Sequence, residues 1–255
     1  MSEMKKLIYY TIGNNTDYLK LLKIHIESLN NFQYDGDILI ITNYQKEIED
    51  LITFENNVFY MNLGESNLLN SSANKLKIYK FEKVFDYDKI IFTDIDTLWF
   101  ESPDILFDNI KDDKIYVVSE YEFDWALMSH EFWSGGLMTG DEIDFIKKNN
   151  IFGISGGFFA LKISMINVIK EIDEFFIKNL HKASICLEQP YINTFLFRNN
   201  LYDTSFDRYI SNNGNNMTSS DDFNCVLLHF AAGVGNANYK YNNMIKFIKN
   251  EKMKK

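Results

Sequence analysis

The stretch Lys89-Ile90-Ile91-Phe92-Thr93-Asp94-Ile95-Asp96-Thr97-Leu98 constrains this chain more than any other. Its first half is apolar at consecutive positions rather than alternate ones. Such a run reads as a strand buried on both faces, as in a parallel sheet covered by helices. Asp94 and Asp96, spaced i and i+2, then stand at the carboxyl end of that strand. Open α/β sheets bind their ligands there. Two carboxylates this close repel each other and lose hydration on burial, so they need a cation. A hard divalent ion, its shell completed by phosphate oxygens, suits them.

The rest of the first half repeats the alternation of strand and helix. Residues 7–12 read as a strand, followed by the loop Gly13-Asn14-Asn15. Residues 18–29 are periodic, with Leu19, Leu22, Ile26 and Leu29 on one face. Strands are expected at 37–42, 57–63, 88–93 and 114–119. A helix is expected at 71–84, with Leu76, Ile78 and Phe81 facing the core. The class is therefore α/β, with a doubly wound, mostly parallel (mixed) sheet and flanking helices.

The second half is less regular. Residues 154–161 read as a strand carrying Gly156-Gly157, 164–180 as a helix capped by Ser164, and 188–198 as a shorter helix. Residues 225–230 form a strand carrying His229, and 239–255 a helix with a basic end. Residues 120–150, with Trp125 and Trp133, show no regular pattern, and 211–222 read as a polar loop. There is no repeat, and the only prolines are Pro103 and Pro190. One domain over 1–255 is expected, with a nucleotide-binding half (1–120) and an acceptor and sugar half (121–255).

Composition removes several classes of function. A net charge of −10 argues against a nucleic-acid binder. Cys186 and Cys225 lie in no C-x-x-C pair, which argues against a structural zinc site or a disulfide scaffold. The N-terminus lacks a signal-peptide core, and no apolar run approaches the about 18 residues of a membrane span. A cytoplasmic setting is expected. Lys246, Lys249, Lys252, Lys254 and Lys255 read as a solvated helix end, with weak contact to an anionic membrane surface as the alternative.

The acidic pair has rival readings. It could be a solvated strand end or a helix cap. An apolar strand followed by Asp94-Ile95-Asp96-Thr97 also resembles the first motif of haloacid-dehalogenase-like phosphatases. There Asp94 would be the nucleophile and Asp96 the general acid. That motif normally opens its fold, whereas three predicted strands precede it here.

A wider set of segments resembles one family better. Asn74-Lys75-Leu76-Lys77-Ile78-Tyr79 and the run from Tyr87 to Leu98 are similar to the glycogenin-like retaining glycosyltransferases, family 8, of GT-A fold. Tyr10-Thr11-Ile12-Gly13-Asn14-Asn15 through Tyr18 looks like the family's nucleotide loop. Ser155-Gly156-Gly157-Phe158, Glu188-Gln189 with Ile192-Asn193, and His229-Phe230 follow in the family's order. The resemblance covers residues 5–240.

What it implies is specific. Asp94, Asp96 and His229 would hold Mn²⁺, with Mg²⁺ as the alternative, and the donor would be a UDP-sugar. Thr11, Ile12, Asn15 and Tyr18 would cradle the uracil and ribose, with Asp94 also reaching the ribose. Lys75 would stand beside the phosphates. Ile95, Ser155, Gly156 and Gly233 would complete the donor site. Glu188 would grip sugar hydroxyls, and Gln189 would lie against the far side of the anomeric carbon during front-face attack.

Three departures mark this chain. Ile154 stands where the family has asparagine, and Glu188 where it has aspartate. Gly233-Val234-Gly235-Asn236-Ala237-Asn238 replaces Gly-x-x-Lys-Pro-Trp, leaving Lys240 or glycine amides to meet the diphosphate. The expected activity is hexosyl transfer from UDP-glucose, or second from UDP-galactose. The acceptor, whether glycan, protein or lipid-linked, is left open, as is a homodimer. The alternative is a nucleotide-sugar-binding protein with degraded catalysis.

Overall fold

The structure is a computed structural model. It describes residues 4–13, 15–64, 68–120, 136–182, 187–217, 225–231 and 236–253. In chain order the strands are β1 (Lys6–Ile12), β2 (Asp37–Thr42), β3 (Val58–Met61), β4 (Lys89–Thr93) and β5 (Thr97–Trp99). They continue with β6 (Ile115–Glu120), β7 (Gly153–Lys162), β8 (Tyr202–Asp203), β9 (Ile210–Ser211) and β10 (Leu227–His229). The α-helices are α1 (Leu19–Asn30), α2 (Gln45–Leu51), α3 (Leu68–Ala73) and α4 (Asp104–Asn109). After them come α5 (Gly140–Lys148), α6 (Ile166–Lys178), α7 (Gln189–Asn199) and α8 (Ala237–Met253).

The main sheet runs β3-β2-β1-β4-β7-β6-β8. β3, β2, β1 and β4 are mutually parallel, and β7 enters antiparallel between β4 and β6. The expected α/β class and mixed, mostly parallel sheet are what the chain forms. From β1 the chain moves outward to β2 and β3, then returns to lay β4 on the other side of β1. The strand order therefore reverses between β1 and β4, the position beyond whose carboxyl ends open α/β sheets bind their ligands.

Apolar residues at consecutive positions are explained by burial on both faces. In β1, Leu7 and Tyr9 join one core cluster, while Ile8, Tyr10 and Ile12 join the other. In β4, Ile90 and Phe92 face the first cluster and Ile91 the second. A small second sheet, β5-β10-β9, sits beside the main one. It is this sheet that delivers His229.

Some local expectations are corrected. The helix expected at 71–84 is α only to Ala73; residues Asn74–Lys80 wind as a tighter 3-10 helix. There the Lys75 carbonyl accepts a bond from the Tyr9 hydroxyl at 2.7 Å, so a tertiary partner takes its acceptor. Ser164 does not cap α6. It lies inside a 3-10 turn and donates to Asp113 at 2.8 Å. Within residues 120–150, Thr139 and Glu142 form a reciprocal capping box that starts α5. That Thr-x-x-Glu signal was readable in the sequence. Residues 121–135 lie outside the described residues. Among the described residues no helix is long and apolar enough to cross a membrane.

Candidate functional site

Asp94 follows β4 directly. Its backbone N–H donates to the Gly157 carbonyl at 2.8 Å, and its own carbonyl accepts from the Thr97 hydroxyl at 2.9 Å. Both ends of the turn between β4 and β5 are thus pinned. β10 then pairs antiparallel with β5, setting His229 opposite Thr97, and the Phe230 N–H reaches the Asp96 carbonyl at 2.8 Å. Strand pairing, not sequence proximity, brings the imidazole to the carboxylates.

The three side chains form one cluster. Asp94, Asp96 and His229 each offer a ligand atom, and these atoms all lie within 4.8 Å of one another. The His229 Nε2 is 3.3 Å from Asp96 Oδ1 and 4.0 Å from Asp94 Oδ2. Its Nδ1 lies 3.0 Å from Asn212 Oδ1, which orients the ring. Glycine at 157 is required here: a Cβ would fall 2.4 Å from His229 Cε1 and 3.1 Å from Asp94 Oδ2. Two hard carboxylate oxygens with one imidazole nitrogen suit a divalent ion.

Two lysines counter the acidic charge. Lys75 is 4% exposed. Its ammonium meets Glu188 at 2.8 Å, Asp94 at 3.5 Å and the Gly156 carbonyl at 2.7 Å. Burial alone would lower its pKa, but Asp94 and then Glu188 carry it up to about 12. Lys240, from α8, meets Asp96 Oδ2 at 2.5 Å. Burial would raise the Asp96 carboxyl, and Lys240 followed by His229 holds it far below the usual carboxylate range instead. For His229, burial lowers the pKa, but Asp96 and then Asp94 outweigh it and hold the imidazole above its usual value.

The residues that the resemblance assigns to the sugar lie along β7 and the start of α7. Gly156 leaves room for Glu188 and Gln189, whose nearest atoms would stand 3.3 Å from an added Cβ. The Gln189 side-chain amide N–H groups go to the Ile154 carbonyl at 3.0 Å and to Glu120. Both donors are thus committed, and among the described residues Oε1 has no hydrogen bond. Glu120 closes β6. Burial raises its pKa, Gln189 and then His229 pull it back, and Asp94 adds to the rise. Ser155 is buried and accepts from the Gly157 N–H at 3.3 Å.

Asn193 explains how α7 is held to β7. It accepts from the Ile154 N–H at 2.7 Å and donates to the Ile154 carbonyl at 2.9 Å, with 1% exposure. Asn193→Ala would leave a buried backbone N–H unmet, so unfolding in urea should show a loss of about 1–3 kcal/mol. An unchanged midpoint would mean that water replaces the amide without cost.

The residues that the resemblance assigns to a nucleotide loop lie at the neighbouring strand's end. Thr11 and Ile12 finish β1, Asn15 accepts from the Asp17 N–H at 2.8 Å, and Tyr18 ends the short helical turn that follows. Ile12 and Ile95 are buried in one core cluster, so their side chains are spent on packing. Gly233 lies outside the described residues. The structure therefore brings together Lys75, Asp94, Asp96, Ser155, Gly156, Glu188, Gln189 and His229, drawn from five separate segments.

Three neighbours were not read from the sequence. Glu120 and Asn212 carry no local motif. His25 is fully buried beneath the acidic turn. Its Nε2 accepts from the Trp99 indole at 3.2 Å, so Nδ1 carries the proton and faces the Thr97 carbonyl at 3.0 Å. Burial lowers its pKa to about 4, against smaller raising effects of the Thr97 carbonyl and Asp96. His25 thus supports the turn as a neutral ring. On a helix face it is indistinguishable from ordinary core.

No family model and no characterised sequence matches the chain. Among solved structures, 315 chains match, which marks the fold as a widely used scaffold that does not by itself select a reaction. One is the apo form of WbbM, a bifunctional glycosyltransferase, with a TM-score of 0.60 and 13% sequence identity. The match covers 99% of this chain and 52% of that one, so the chain spans about half the length of its neighbour. The chain has the α/β fold of a GT-A-like glycosyltransferase.

Proposed function

We propose that the protein is a divalent-metal-dependent retaining glycosyltransferase, related to the glycogenin-like family, that transfers a hexose from a UDP-sugar. One observation carries the reading: Asp94, Asp96 and His229 converge at the strand-order reversal, with Lys75 and Gln189 on the adjoining wall. UDP-glucose is the first donor and UDP-galactose the second. The chain would work as one unit, its first 120 residues holding the nucleotide and the rest the sugar and acceptor.

Asp94, Asp96 and His229 would hold the ion, Mn²⁺ first and Mg²⁺ second. Bound there, the ion supplies Lewis-acid stabilisation of the leaving diphosphate. The side chains do the rest. Lys75, fixed by three partners, sets a permanent positive charge beside Asp94 for a phosphate. Thr11, Ile12, Asn15 and Tyr18 line the side where a uridine would lie. With its N–H groups held by Glu120 and Ile154, Gln189 would offer Oε1 to the sugar, where an amide oxygen favours the positive charge that develops at an anomeric carbon. Glu120 is thereby a positioning residue for Gln189. Glu188 reaches the sugar while bonded to Lys75, so the longer side chain links sugar and phosphate recognition.

The decisive experiment is a screen of nucleotide sugars read by release of free nucleotide, with and without Mn²⁺. Metal-dependent UDP release from a UDP-hexose is the expected result. Tight UDP binding without turnover of any donor would favour a binding protein whose catalysis has decayed. Phosphate release from phosphomonoesters would favour the phosphatase reading.

His229 gives a narrower test. His229→Ala removes the nitrogen ligand and should weaken Mn²⁺ binding by about 10–100-fold or more. Titration of Mn²⁺ in the presence of UDP measures it. Unchanged metal affinity with a lowered melting temperature would make His229 a packing residue.

A further inference from the structure

Lys240 differs from the other cation of the site. Lys75 has three partners on three segments and is locked. The Lys240 ammonium has, among the described residues, one ion-pair partner, Asp96 Oδ2 at 2.5 Å. The same carboxylate faces His229 Nε2 through its other oxygen, at 3.3 Å. Asp96 is therefore divided between the cluster suited to a metal and a lysine from 144 residues away.

The two uses of Asp96 conflict. Its side chain is 4% exposed and that of Lys240 13%, so water screens the pair weakly. A divalent ion on Asp96 would lie beside an ammonium in low dielectric, and like charges there repel strongly. The body of α8 is fixed, since Met244 and Phe247 are buried and Asn243 donates to Asn215 at 2.7 Å. The Lys240 stem is four flexible carbons, so its charge can move while the helix stays. The start of α8 lies beside α1, where Lys20 donates to Asn238, and Asp94 and Tyr18 both act electrostatically on the Lys240 charge. An ammonium driven off Asp96 still needs an anion. A diphosphate arriving with the metal would supply one.

We propose that Lys240 is a displaceable placeholder on Asp96: it holds the carboxylate while no divalent ion is bound, then transfers to the diphosphate when ion and donor enter together. This rests on the metal and UDP-sugar reading above. It makes Lys240 a coupling residue, because one side chain opposes the ion alone and favours the ion with nucleotide.

The test is binding, not turnover. Free Mn²⁺ is followed by electron paramagnetic resonance without nucleotide, and UDP affinity by calorimetry at saturating Mn²⁺. Lys240→Met should bind Mn²⁺ alone about tenfold more tightly and UDP about tenfold more weakly, the scale of a one-unit shift from a neighbouring charge. Lys240→Arg should keep most of the coupling. Wild-type protein gives a second readout if Lys240→Met does not fold: acetylation of Lys240, followed by mass spectrometry, should rise with Mn²⁺ and fall again with Mn²⁺ plus UDP. Wild type and Lys240→Met with equal Mn²⁺ affinity would overturn the placeholder role and leave the metal site standing. Labelling of Lys240 that ignores Mn²⁺ would do the same. Wild type that binds no Mn²⁺ even with UDP present would overturn the metal reading itself.

Discussion

Asp96→Ala should abolish sugar transfer and remove the effect of Mn²⁺ on UDP affinity. Asp96 is the most constrained carboxylate of the cluster. It is 3% exposed, it faces His229, and it is held ionised by Lys240 and His229. Alanine would delete one ligand and one negative charge together. The loss should exceed the about 10–100-fold that removal of an outer support around a metal ligand costs. Stability should fall as well, because Lys240 would keep a charge without its partner. That cost should be less than the about 3–5 kcal/mol of a fully buried broken pair, since Lys240 retains some access to water. Asp96→Asn separates the effects: it keeps the shape and an oxygen but not the charge. Calorimetry of UDP with and without Mn²⁺ is the measurement. If UDP affinity in the wild type were indifferent to Mn²⁺, the assignment of the cluster would be wrong.

Gln189→Ala should lose about 10²-fold or more in turnover while UDP affinity stays near the wild-type value. The argument is one of timing along the reaction. On the proposed function, uridine and diphosphate would be bound before chemistry, so residues that meet them would change affinity. An oxygen aimed at an anomeric centre matters most when positive charge develops there, so it changes kcat. The side chain is suited to this because Glu120 and the Ile154 carbonyl take its donors. Glu120→Gln should show the same pattern more weakly, since the amide would be misdirected rather than removed. Turnover and UDP binding measured side by side decide it. Near wild-type turnover in Gln189→Ala would place the sugar elsewhere, and the likeness drawn for residues 186–193 would fall.

Most of the sheet was legible because each strand advertises itself locally. β1, β2 and β4 are runs of consecutive apolar residues that end within a residue of their expected bounds. Burial on both faces requires such runs, so the pattern implied helices on both sides before any contact was known. Shorter elements escaped. β8 and β9 have two residues each and exist only by pairing with β6 and β10, which no local pattern announces.

The carboxylate pair, Lys75, Ser155-Gly156, Glu188-Gln189 and His229 were each nameable from residue type and order. Their roles came from likeness to a family, since a lysine in a helix or a histidine at a strand end has an ordinary structural reading. Tertiary structure decided the rest. It buried the Ile95 side chain in the core, and it fixed Glu188 to Lys75 across 113 positions of chain. It brought Glu120 to Gln189 from 69 residues away, and Lys240 to Asp96 from 144. Hydrophobic periodicity and turn chemistry act over a few residues, so they determine strands, helices and the acidic turn. Electrostatic partnership between distant side chains depends on where the packed sheets and helices carry them, and only the folded chain sets those distances.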